Sequence, residues 1–88
     1  MRFQRATYRP GYDRLVYAAV DEETTTISIR VYGPQHHPGN NQVTKHSPFV
    51  LEDGIFALDF DFNEVGNYIF IIEENGVIQT ILNAKVYA

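Results

Sequence analysis

In two stretches of this chain apolar side chains recur at every second position, and no window keeps a sustained three- and four-residue spacing of a helix. From Ile55 to Phe62, Phe56, Leu58, Phe60 and Phe62 fall on one face and Ala57, Asp59 and Asp61 on the other. Thr25 to Tyr32 repeats the pattern, with Ile27, Ile29 and Val31 opposite Thr26, Ser28 and Arg30. Each reads as a half-buried antiparallel strand. The residue types agree: eight valines, eight isoleucines and six each of threonine, tyrosine and phenylalanine suit a pleated surface with one buried side. The strong helix formers leucine and alanine are scattered, so no helix longer than a turn is expected.

Turn signals divide the chain. Phe3 to Tyr8 is a first strand, closed by Arg9-Pro10-Gly11, and Asp13 to Val20 a second, ended by the acidic bend Asp21-Glu22-Glu23. Gly33 to Lys45 holds prolines, glycines, paired asparagines and paired histidines with almost nothing apolar, and reads as a long exposed loop. Phe49 to Leu51 follows Pro48, which cannot donate to a ladder, and is therefore expected at a sheet edge. Asp53-Gly54 turns into the Ile55 strand, and the corner Asn63 to Asn67 leads into Tyr68 to Glu74. Asn75-Gly76 favours a two-residue hairpin turn, because both central positions need positive φ, and Val77 to Tyr87 returns as the partner strand.

The Tyr68 strand is unusual in being apolar on both faces, Tyr68, Phe70 and Ile72 against Ile69 and Ile71. Either it is a central strand covered on both sides, or it shows a greasy patch to a partner. About seven short strands with turns between them predict an all-β fold, a two-sheet antiparallel sandwich around one core. At 88 residues the whole chain, 1–88, is expected to be a single domain.

Charge and composition narrow the functions. Eleven acidic against seven basic residues give a net charge of -4, without the cationic excess that phosphate binding needs, so no nucleic-acid partner is expected. No apolar run approaches the ~20 residues of a membrane helix, and Arg2, Arg5 and Arg9 are not followed by the apolar segment of a signal peptide. Neither a membrane partner nor secretion by that route is expected. The absence of cysteine removes disulfides and thiolate chemistry.

Candidate chemistry is sparse. His36 and His37 sit in the loop with His46 nearby, but adjacent loop histidines rarely converge on one metal, and solvated histidines are the preferred reading. Asp59 and Asp61, with Glu52 and Asp53 upstream, fall on the wet face of their strand, where nothing desolvates a carboxyl into a general acid. His46 and Ser47 are chain neighbours that point apart, not a nucleophile and its base. The expected site therefore has no catalytic residue, no metal and no cofactor. Tyr8, Tyr12, Tyr17 and Tyr32 are expected to fill cross-strand and core-margin positions, with a ligand-stacking platform as the lesser reading.

The segment Asn63-Glu64-Val65-Gly66-Asn67-Tyr68-Ile69-Phe70-Ile71 resembles the G-x-Y opening of the penultimate strand in immunoglobulin-like sandwiches. There a tyrosine hydroxyl bonds back to upstream backbone and pins the corner, the role this resemblance implies for Gly66 and Tyr68. More widely, Asp53-Gly54-Ile55-Phe56, Gly66-Asn67-Tyr68, the Glu74-Asn75-Gly76 hairpin and the opening Tyr8-Arg9-Pro10-Gly11 resemble small immunoglobulin-like accessory domains of tailed-bacteriophage virions. That resemblance implies a structural protein made in the bacterial cytoplasm and carried on the virion as a head decoration, neck or collar, or tail part. Its partners would be other virion proteins and copies of itself, bound by adhesion. Ile69 and Ile71, together with Phe49 of the edge strand, are the candidate partner-facing residues. The alternative is an immunoglobulin-like module that binds carbohydrate or a cell surface through tyrosines and the 34–46 loop.

Overall fold

In a computed structural model that describes residues 7–34 and 43–88, every regular element is a strand. They are β1 Thr7–Tyr8, β2 Gly11–Ala18, β3 Ile27–Tyr32, β4 Thr44–His46, β5 Phe49–Glu52, β6 Ile55–Phe62, β7 Gly66–Glu74 and β8 Val77–Val86. One sheet has the order β1-β8-β7-β3-β4 and the other β2-β6-β5. All pairs are antiparallel except β1 and β8, which run parallel, with Thr7 opposite Lys85 and Tyr8 opposite Val86. The chain is thus an all-β, two-sheet sandwich.

Alternation decides what lies between the sheets. Leu15 and Tyr17 of β2 and Phe56, Leu58, Phe60 and Phe62 of β6 face Ile27, Ile29 and Val31 of β3, Tyr68, Phe70 and Ile72 of β7, and Ala84 and Val86 of β8. Aromatic rings lock the centre: Tyr8 stacks on Phe62 at 4.6 Å, and Phe62 meets Phe60 and Tyr68 edge to face at 4.9 and 5.2 Å. Each large side chain removed from water contributes roughly 1.5–3 kcal/mol, and these contacts join both sheets into one core.

Besides shifts of one or two residues at ends of β2, β3, β5, β7 and β8, two differences from the sequence expectation have a clear physical reason. Thr44–His46, which overlaps the stretch read as loop up to Lys45, is an edge strand on β3, pairing Val31 with Thr44 and Ile29 with His46. A three-residue polar edge strand has no inner and outer face to alternate, so its residue types carry no signal. The second strand starts at Gly11 instead of Asp13, because Gly11 takes φ 117° and opens the ladder opposite Phe62. The remaining part of the expected Phe3 to Tyr8 strand, and most of the expected loop, lie outside the described residues.

The two ends of the sandwich are fastened differently. At one end Gly66 adopts φ 128°, and a Cβ there would lie 2.8 Å from Cβ of Pro34, so only glycine fits. The Tyr68 hydroxyl donates to the Glu64 carbonyl at 3.0 Å and accepts the Glu64 N–H at 3.1 Å. At the other end Asn75 and Gly76 form the β7–β8 turn with φ 51° and 83°. The Asn75 side chain also accepts the backbone N–H groups of Thr25 and Thr26, both at 3.1 Å, which ties the hairpin tip to the segment entering β3.

Candidate functional site

β7 is the middle strand of the five-stranded sheet, between β8 and β3. Its inner face is covered by the second sheet; among the described residues no element packs over its outer face. Ile69 is 41% exposed, and across the ladder Ile71 lies opposite Ile81, which is 60% exposed. Ile78, opposite Glu73 beside a bulge, is 51% exposed and extends the same surface. On the other flank Tyr32 pairs with Ile69 and Arg30 with Ile71, and the Arg30 guanidinium donates to Glu73 at 3.0 Å. The result is a contiguous isoleucine face at the middle of a sheet, edged by an ion pair.

Phe49 does not belong to this surface. It lies on the edge strand of the other sheet, opposite Ala57, with the Arg14 guanidinium 5.0 Å above its ring. Arg14 in turn makes a two-pronged contact with Asp59 at 2.7 and 3.0 Å, which raises its own pKa and holds the Asp59 carboxyl below the ordinary value. The candidate interface residues therefore divide: Ile69 and Ile71 together on one outer face, Phe49 on the opposite side. All of β5 is exposed, including Val50 and Leu51.

A cleft of about 470 Å³ opens beside β6, with Val31, Phe60 and Tyr68 in its floor and Tyr12, Asp61 and Glu64 along its rim. His46 also lines it, its ring edge-on to Phe60 at 5.3 Å and its Nε2 3.0 Å from the Thr44 hydroxyl. Burial lowers the His46 pKa. Asp59 and Asp61 are both exposed. Among the described residues no three of His, Asp or Glu converge to hold a metal ion. His36 and His37 lie outside the described residues.

One polar cluster was not singled out from the sequence. Glu74 is the buried charged residue of the described chain, at 2% exposure. Its carboxylate accepts the hydroxyls of Tyr17 at 2.5 Å and Thr24 at 2.6 Å, and the backbone N–H groups of Val20 at 2.9 Å and Asp21 at 3.1 Å. Burial opposes ionisation, but the bonds from Thr24, Tyr17, Val20 and Asp21 outweigh it and hold the carboxyl below its ordinary value. The Tyr17 hydroxyl is pushed up to about 12, by burial first and then by its bond to Glu74. The signal was present in the alternation, since Glu74 shares a face with Tyr68, Phe70 and Ile72. With every carboxylate lone pair directed to a donor, the cluster acts as a staple between β7 and the β2–β3 connection and offers no free group for chemistry.

Neither a protein-family model, nor a curated protein, nor a solved structure matches this chain.

Proposed function

We propose that the protein is a non-catalytic structural component of a bacteriophage virion, a head decoration, neck or collar, or tail accessory protein that works by adhesion. The observation that carries the adhesion reading is the isoleucine face at the centre of the five-stranded sheet, where Ile69, Ile78 and Ile81 stand exposed around the half-buried Ile71. A sheet centre is where a folded chain ordinarily has most reason to bury or polarise a surface, and contiguous exposed apolar patches mark interaction sites. Copies of the chain meeting face to face would bring the same patch to both sides of a twofold contact.

The finer reading of the fold and setting has its own support. Strands β2-β6-β5 facing β8-β7-β3-β4 follow the strand order of immunoglobulin-like sandwiches with an added strand beside the third. The Tyr68 contact at the corner supports the immunoglobulin-like reading, and the sequence motifs between Asp53 and Gly76, with the opening Tyr8-Arg9-Pro10-Gly11, supply the likeness to virion accessory domains. Purified particles from an infected host are expected to contain the protein in stoichiometric amounts, and the isolated protein is expected to sediment with particles that lack it. Absence from particles, with no co-sedimentation, would reject the virion assignment.

A carbohydrate-binding module is the second reading, favoured by Tyr12, which stands 79% exposed over the acidic rim of the cleft. A glycan array distinguishes the two readings: saturable binding that Tyr12→Ala abolishes would support it over adhesion.

A further inference from the structure

β6 outruns its neighbour. On the β5 side its pairing ends with Phe49 opposite Ala57, whereas β2 accompanies it to Phe62. The direction of its backbone groups follows from one bond beyond the ladder. Ala19 donates to the Gly54 carbonyl at 2.9 Å. Because hydrogen-bonded and non-bonded pairs alternate in an antiparallel ladder, Phe56, Leu58, Phe60 and Phe62 turn their N–H and C=O groups to β2. Ala57, Asp59 and Asp61 turn theirs the other way. Ala57 meets Phe49, and the Asp61 carbonyl takes the Asn63 N–H at 3.1 Å. That leaves the N–H and C=O of Asp59 and the N–H of Asp61 facing the cleft with no strand beside them among the described residues.

We propose that this notch accepts an extended segment of a partner protein as an added strand, and that the segment alternates apolar and basic side chains. The unpaired edge supplies the backbone bonds of strand addition. The alternation follows from the two sides of the edge. Inward-pointing side chains of an added strand reach the apolar floor of Val31, Phe60 and Tyr68, and outward-pointing ones reach the acidic rim. Asp59 is already satisfied by Arg14, but Asp61 and Glu64 have no cationic partner among the described residues. A lysine or arginine on the incoming strand completes them. This site lies on the three-stranded sheet's side and stands independently of docking on the isoleucine face.

The test is a titration of the full-length, ¹⁵N-labelled chain with a capped synthetic peptide that alternates valine and lysine, followed by NMR. Saturable shifts centred on the amides of Asp59 and Asp61 are expected. N-methylation of alternate residues gives two peptides, one for each register. The one whose blocked amides face β6 should bind at least about tenfold more weakly than the other. Asp61→Asn combined with Glu64→Gln should weaken the unmethylated peptide by a similar factor, and a valine–glutamate peptide should not bind. The proposal is overturned by any of three results: no saturation at millimolar peptide, equal binding of the two N-methylated registers, or saturable binding of oligosaccharides alone at these amides.

Discussion

The two faces of β7 carry nearly the same chemistry and meet opposite fates. Inside, Tyr68, Phe70, Ile72 and Glu74 are all buried; outside, Ile69, 41% exposed, and the half-buried Ile71 alternate with them, with no described strand packed over them. The inner face shows what closure looks like here: rings packed edge to face, a tyrosine hydroxyl tied to backbone, and a carboxylate surrounded by donors. The outer face carries two isoleucines, Ile69 and Ile71, flanked by Asn67 and by Glu73, which pairs with Arg30. The contrast shows that folding buries the inner half of this strand's apolar surface fully and the outer half only in part; on the adhesion proposal, the exposed part is what a partner would cover.

Substitutions on the two faces should separate cleanly. The largest loss is expected from Phe70→Ala, which empties a fully buried ring from the shared core. Chemical denaturation should show about 3–5 kcal/mol of destabilisation. Glu74→Ala comes next, since Tyr17, Thr24, Val20 and Asp21 would lose their common acceptor. The part-buried Thr24, Val20 and Asp21 donors can turn to water and Tyr17 keeps the Thr80 hydroxyl, so a loss of about 1–3 kcal/mol in all is expected, read by the same melts.

The staple also sets a pH dependence. The Glu74 carboxyl is lower in the folded chain than its ordinary 4.5, so its contribution is complete above that value and disappears as pH falls through the lower folded pKa. Tyr17 acts at the other limit. With its pKa raised from 10.0 to about 12, the neutral phenol favours the folded state below pH 10, and that advantage fades as pH rises between the two values. Denaturation midpoints against pH should fall at both extremes, and Glu74→Gln should flatten the acid limb.

A smaller effect is expected from Tyr68→Phe. The ring stays, and only the bonds to Glu64 are lost, for about 0.5–1.5 kcal/mol. An unchanged midpoint would show that the hydroxyl does not hold the corner. Smallest of all is Ile81→Thr on the outer face, 60% exposed and still β-branched, expected to move stability by no more than about 0.5 kcal/mol in the same melts.

Much of this architecture is written in local residue patterns. Ile27, Ile29 and Val31, and Phe56 through Phe62, announce their inner faces by period two, and Asn75-Gly76 announces positive φ because few other residues tolerate it. What stayed hidden depends on pairings distant in sequence. Thr44–His46 is a strand only because β3 offers it an edge. The placement of Phe49 away from Ile69 follows from which sheet each strand joins, a choice no local pattern encodes. Glu74 sat at a core position of the alternation, but the donors that make an acid tolerable there come from Tyr17 to Thr24, some fifty residues earlier. The short reach of β5 beside β6, which creates the notch at Asp59 and Asp61, is a matter of strand length and register.

Sedimentation velocity over a rising concentration series, run on the native chain and on Ile69→Asp combined with Ile81→Asp, tests the uncovered face most directly. The native protein should assemble as concentration increases, and the double variant should remain a monomer with the circular dichroism of the same β-sandwich. A native chain that stays monomeric at the highest concentration, or a double variant that assembles as well as the native one, would contradict the adhesion account.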